Sequence, residues 1–141
     1  MFTVDDAVRI ARAAHDGQLD KSGNPYITHP LRVMRGVHTD HERMTAVLHD
    51  VVEDTPVTLD DLRAQGCPDE VVAAVDAISK RPDESQPDYL TRVAGNPIAR
   101  AVKHADIADN SSPARLAQLD APTRERLRAK YADALAFLAR H

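Results

Sequence analysis

Three short stretches bring together residue types that can hold a cation or move a proton. In AVLHDVVEDT (46–55), His49 and Glu53 are four positions apart, and so are Asp50 and Asp54. On a helix each pair shares a face. One imidazole and three carboxylates then crowd against Val47, Leu48, Val51 and Val52, where the acids repel one another unless a cation intervenes. On spacing alone, the same stripe also fits a solvated acidic helix end. In VKHADIADN (102–110), Lys103, Asp106 and Asn110 are spaced three and four apart, again on one helical face. A cation, an anion and an amide in a row suit a pocket for metal and phosphate, and equally a surface stripe with an i,i+3 ion pair. In KSGNPYITHP (21–30), a turn offers Lys21 and Ser22, and His29 stands where a helix begins, as a cap or as a ligand.

The elements that must position these residues read as a succession of helices. Thr3 is an N-cap for a helix to about His15, with Val4, Val8 and Ala11 on one stripe. Gly17, Gly23 and Pro25 make 16–28 a loop, and Pro30 sits in the first turn of a short helix carrying Leu31, Val33, Met34 and Val37. A single helix is expected over about 41–53. Thr58 and Asp61 form a capping box for a helix that Gly66 closes, and Pro68 opens the next, with Val71, Val72, Val75 and Ile78 inward. After a polar loop at 81–87, helices are expected over about 88–94, from Asn96-Pro97 to about Asp109, and from about Thr123 to the end. No stretch alternates as a strand does. The class is all-α.

Composition narrows the function. The 141 residues are 43% apolar and 28% charged, an ordinary globular mix for one domain over 1–141. Aromatics are 4% with no Trp, the net charge is −4, and no Lys/Arg run tracks a phosphate backbone, so nucleic-acid binding is disfavoured. Cys67 is the single cysteine, which excludes an intrachain disulfide and a Cys-rich zinc site and fits a reducing compartment. MFTVDDAVRI is acidic where a signal peptide is basic, and no apolar run is long enough to span a membrane. A cytoplasmic location without a membrane partner is the expectation.

Taken in order, AHDGQLDKSGNPYITHP (14–30), HDVVEDT (49–55) and VKHADIADN (102–110) resemble the HD-domain metal-dependent phosphohydrolases. Within them they resemble the hydrolase domain of RelA/SpoT-type enzymes and its small stand-alone versions. The resemblance implies a compact helical bundle of about eight helices. It implies His29, His49, Asp50 and Asp106 as ligands of one divalent metal, with Mn²⁺ the family's usual ion; nitrogen and oxygen donors without a thiolate also accept Zn²⁺, Fe²⁺ or Ni²⁺. Glu53 and Asp54 match the acidic pair that positions and deprotonates water. Lys21 and Ser22 match the nucleotide-contacting loop, and Asn110 the amide facing sugar and phosphates, while Lys103 supports Asp106. The activity so implied is hydrolysis of the 3′-pyrophosphate of guanosine 3′,5′-bispyrophosphate (ppGpp) alarmones. The alternatives are a phosphohydrolase for an adenosine alarmone or a phosphorylated dinucleotide, and a catalytically idle nucleotide-binding module, against which the intact ligands and acids speak.

Two departures touch base recognition rather than the metal. Asp20 stands where the family carries a basic residue flanking the base, and NSSPARL (110–116) replaces the usual Leu-Arg continuation after the Asn. Both point to relaxed guanine selectivity. Tyr131 is assigned to the pocket from the last helix, where its apolar stripe also suits packing. Tyr26 and Ile27 are read as core, Asp109 as solvated, Cys67 as a loop residue, and His15, His38, His41 and His141 as surface or capping residues.

Overall fold

The computed structural model describes residues 1–141 and contains ten helical segments and no strand. They are α1 (Val4–Ala14), α2 (Thr28–Arg35), α3 (Asp40–Leu48), α4 (Val51–Asp54), α5 (Leu59–Ala64), α6 (Asp69–Ile78), α7 (Gln86–Ala94), α8 (Pro97–Asn110), α9 (Pro113–Leu116) and α10 (Ala121–Arg140). The helix starts follow the capping chemistry. Thr3, Thr39 and Thr58 each accept from the backbone N–H three residues on, and Asp6, Glu42 and Asp61 return the bond. Asn96, Ser112 and Asp120 cap helices that carry Pro in their first turn.

Three differences from the expected pattern matter. The helix expected over 41–53 is two, interrupted at His49–Asp50. A single turn, α9, lies between Asn110 and the last helix; at four residues it is too short to show periodicity, and only its Ser112 cap and Pro113 mark it. Helices α7 and α10 each begin two residues earlier than expected, at Gln86 and Ala121, because Ser85 and Asp120 cap them. The eight longer helices are thus joined by two single turns.

Helix α3 lies at the centre. Residues 44 to 48 are all buried, so its C-terminal half is enclosed on every side, with α1, α2, α6 and α8 packed against the helix. Two buried clusters meet on it. One gathers Val33, Ala46, Ala77, Ile78, Val93, Val102, Ile107 and Leu138, among others; the second gathers Ala7, Ala11, Val47, Leu48, Val51, Leu62 and Val75, among others. Helices α2 and α8 approach closely at Gly36, where a Cβ would lie 3.3 Å from that of Ala105. That contact closes the end of α2, and at its start His29 meets the buried face of α8, which carries Asp106 between Val102 and Ile107.

Candidate metal centre

Neighbouring residues on an uninterrupted helix point about 100° apart, so His49 and Asp50 could not both face one point from a single helix. The break between α3 and α4 removes that restriction. His49 N–H bonds to Ala46 O in the tighter i→i+3 pattern, and Asp50 takes φ −102° and ψ −3°. As a result His49 Nε2 lies 3.1 Å from Asp50 Oδ2. From α2, His29 Nε2 comes within 4.0 Å of the same oxygen. From α8, Asp106 Oδ1 lies 2.9 Å from His29 Nε2 and 3.2 Å from His49 Nε2. The four residues expected as ligands converge, although 77 positions separate His29 from Asp106.

The surroundings aim these atoms. His49 Nδ1 donates to Ala46 O at 2.5 Å and His29 Nδ1 donates to Asp109 Oδ2 at 2.6 Å, which turns both Nε2 atoms toward the carboxylates. Tyr26 donates its hydroxyl to Asp50 Oδ2. Lys103 Nζ lies 3.2 Å from Asp106 Oδ2, and Asn110 Nδ2 donates to Asp106 Oδ1 at 3.1 Å. Burial opposes charge on both imidazoles, but Asp50 and Asp106 around His49, and Asp106 and Asp109 around His29, outweigh it and raise both pKa values. Burial likewise works against the Asp106 carboxylate, and the bonds from His29 and His49 together with the Lys103 charge hold its pKa well below the usual range. A pocket that draws positive charge in this way, lined by two imidazole nitrogens and two carboxylate oxygens, fits a divalent cation.

Glu53 and Asp54 stand beside the centre on α4, and one carboxylate oxygen from each lies within 4.8 Å of an Asp50 oxygen. Desolvation and the Asp50 charge raise both pKa values, although each side chain stays open to solvent. Glu53 Oε1 accepts the Lys80 backbone N–H at 2.8 Å, which leaves its other oxygen unbonded within the protein.

The residues expected to bind substrate share one cleft. Lys21, Ser22, Asn110 and Tyr131 line a cavity of about 240 Å³, together with Tyr26, Arg115 and an apolar wall of Leu19, Leu119 and Leu127. Tyr26 and Asn110 also bond to Asp50 and Asp106, so cleft and centre share two side chains. The cleft loop is shaped by Asp20, whose Oδ1 accepts the N–H groups of Ser22 and Asn24 at 2.9 Å each, and by Gly23 at φ +84°.

Several readings change. Tyr26 is half-buried and bonded to Asp50, so it serves the centre as well as the core. His15 is buried, its ring 5.0 Å from that of Tyr26 and its Nδ1 2.8 Å from Gln18 Oε1. Asp109 is not solvated: it bonds His29, Arg32 and Arg115, and its side chain is only 13% exposed. Arg115 was not expected in the site; its place in a four-residue turn gave no periodicity to find it by. Cys67 lies between α5 and α6 as expected, but is buried, which pushes its thiol up to about 11.

With this geometry in hand, likenesses to known proteins fall into place. A family model described as HD domain matches residues 7–129. Guanosine-3′,5′-bis(diphosphate) 3′-pyrophosphohydrolase of Haemophilus influenzae is 50% identical over 76 residues, which is 50% of this chain and 11% of that protein. A probable GTP pyrophosphokinase of Mycobacterium leprae is 35% identical over 120 residues, 76% of this chain and 15% of that one. The chain therefore spans a small part of the length of these relatives. A solved structure of a metazoan ortholog of SpoT, described as hydrolysing ppGpp, superposes with a TM-score of 0.80 at 22% identity, covering 96% of this chain and 84% of the other. That likeness establishes the same all-helical fold. No helix of the chain is long and apolar enough to cross a membrane.

Proposed function

The chain belongs to the HD-domain family, and on that premise we propose that residues 1–141 form one metal-dependent phosphohydrolase domain. Its substrate is ppGpp and its reaction is hydrolysis of the 3′-pyrophosphate, giving GDP and pyrophosphate. The observation that carries this is the convergence of His29, His49, Asp50 and Asp106 at the wall of a cleft lined by Lys21, Ser22 and Asn110. His29, His49, Asp50 and Asp106 are the ligands, and Mn²⁺, which mixed imidazole and carboxylate donors accept, is the ion proposed for them. When bound, such an ion acidifies water and polarises a phosphate oxygen.

The remaining work falls to side chains of the chain itself. Glu53, anchored through one oxygen on Lys80 N–H, takes a proton from water with the other. Asp54 orients that water. Lys21 and Ser22 hold phosphate from the loop that Asp20 and Gly23 shape. Asn110 binds sugar or phosphate, and Tyr131 closes the cleft from α10. Lys103 stays behind Asp106, its ammonium also 5.2 Å from the centre of the Tyr89 ring.

One observation favours a second reading, hydrolysis of an adenosine alarmone. The carboxylate of Asp20 is engaged by its own loop, and the leucines of the cleft accept a purine face without distinguishing its edge. Arg81 and Arg128 are no substitutes for a base-flanking cation, since they pair with Asp76 and Glu125 and do not line the cleft. The test is a panel of nucleotides incubated with Mn²⁺-reconstituted protein, with products resolved by chromatography. Pyrophosphate from ppGpp supports the first reading, and an equal or greater rate on the adenosine analogue supports the second. Unchanged activity after chelation would overturn both.

A further inference from the structure

Asp109 and Arg115 lie outside the ligand set, yet both touch what the ligands lean on. Asp109 Oδ2 accepts from His29 Nδ1 at 2.6 Å, and Arg32 Nε donates to Asp109 Oδ1 at 2.8 Å. Arg115 Nη1 lies 3.0 Å from Asp109 Oδ2 and 2.6 Å from Asn110 Oδ1. It also lies 2.9 Å from His29 Nδ1, so two donors flank the one Asp109 oxygen they share. Asn110 in turn presents Nδ2 to Asp106 Oδ1. One guanidinium nitrogen therefore steadies the partners of two ligands that come from different helices. Its companion nitrogen faces Asp20 Oδ2 of the cleft loop at 3.7 Å.

We infer that Arg115, acting through Asp109 and Asn110, is a positioning residue that sets how tightly the centre holds its metal. The inference rests on the metal-centre reading proposed above. A neutral imidazole carries one N–H. With a carboxylate at Nδ1 that proton stays there, and Nε2 keeps the lone pair a metal needs. Without Asp109 the proton can move to Nε2, which already lies at hydrogen-bond distance from Asp106 and would close the site. The Asn110 amide has a similar ambiguity. A donor on its Oδ1 makes Nδ2 face Asp106, whereas a flipped amide would set oxygen against oxygen. Arg115 removes both ambiguities with one group, and Arg32 keeps Asp109 from rotating away.

The test uses the full chain, stripped of metal and titrated with Mn²⁺, with the free ion counted by electron paramagnetic resonance. Arg115→Met and Asp109→Asn should each weaken Mn²⁺ binding by about 10- to 100-fold, the range found for supporting partners of metal ligands. Arg115→Met should move the thermal midpoint of the metal-free protein little, because Arg32 still pairs with Asp109, whereas Asp109→Asn should lower it by leaving both guanidiniums without their counter-charge. The double variant should lose less than the product of the two single losses, because both act on His29. If Arg115→Met does not fold, Arg115→Gln removes the charge beside Asp109 while keeping a donor for Asn110, and should weaken Mn²⁺ binding in the same direction by a smaller factor than Asp109→Asn. Unchanged Mn²⁺ affinity with a lowered midpoint would make Arg115 a tether for α9 only and overturn the inference. Losses that simply multiply would overturn it too. Wild-type protein that binds no Mn²⁺ would sink the metal-centre reading itself, and this inference with it. Wild-type protein that binds and turns over while both variants bind equally well refutes this inference alone.

Discussion

Replacing Glu53 by Gln separates chemistry from binding. Glu53 Oε1 accepts Lys80 N–H at 2.8 Å, and the amide oxygen of Gln can keep that bond at nearly the same volume. What disappears is the negative charge and the lone pair that takes a proton. Loss of a positioned general base lowers turnover by about 10²- to 10⁴-fold. At the lower bound this is about 2.7 kcal/mol of transition-state stabilisation. The interaction exists only in the transition state, so kcat and kcat/KM should fall together while KM holds. Folding stability should hold or rise slightly, because a like charge beside Asp50 is gone. In the metal-free protein desolvation and the Asp50 charge raise the Glu53 pKa, a shift that a bound divalent ion opposes, so the expected outcome for the loaded enzyme is that Gln removes the acidic limb of the kcat/KM profile. Initial rates on ppGpp across pH, with metal content measured on the same samples, check all of this. Near-normal turnover would place the base elsewhere, with Asp54 first in line. Lost metal would make Glu53 a ligand.

Three further outcomes follow from single contacts. Tyr26→Phe removes the hydroxyl that holds Asp50 but keeps the ring against His15; it should destabilise the metal-free protein by about 1.5 kcal/mol in urea titration, the low end for a bond to a charged acceptor. Asp106→Asn leaves the Lys103 ammonium partly buried without its counter-charge; relief of the Asp50–Asp106 repulsion keeps the loss near the low end for a broken buried pair, about 3 kcal/mol, and a loss below about 1 kcal/mol would mean that Lys103 swings out to water. Glu84, held down at about 2 chiefly by its bond to Arg92, contributes stability that is present above the ordinary value of 4.5 and lost as pH falls toward 2. The thermal midpoint of Glu84→Gln should therefore lie below wild type at neutral pH and meet it at the acid end; parallel curves would refute the pairing.

Much of this architecture is legible in the sequence because the helix starts are chemical. Thr3, Thr58 and Asn96 mark their helices with side chains that bond the first turn, and the structure has helices there. The interruption at His49–Asp50 is not legible, since neither residue is Gly or Pro and the apolar spacing of Met44, Val47, Leu48 and Val51 runs through them. It is also what lets adjacent residues face one site. His29 and Asp106 converge because they lie on the inward faces of α2 and α8, and the break after α3 adds His49 and Asp50. Asp109 misleads for the opposite reason. On α8 alone it is an acid beside the polar face, and only Arg32, 77 positions away, and Arg115, on a turn too short to predict, bury it. Asp20 reads as a lost cation, but its local role, tying two amides of the loop, shows only once Gly23 has turned the chain.

On the function proposed above, this chain uses a bound divalent ion and water to cleave the 3′-pyrophosphate of ppGpp. The most direct measurement is product analysis after incubating ppGpp with metal-stripped and Mn²⁺-reloaded protein in isotopically labelled water. GDP and pyrophosphate should form in equal amounts and only with metal, with the label in pyrophosphate because water attacks phosphorus, and Asp50→Ala should give no reaction. Protein that binds Mn²⁺ at the His29, His49, Asp50 and Asp106 site yet releases no pyrophosphate from ppGpp would contradict it.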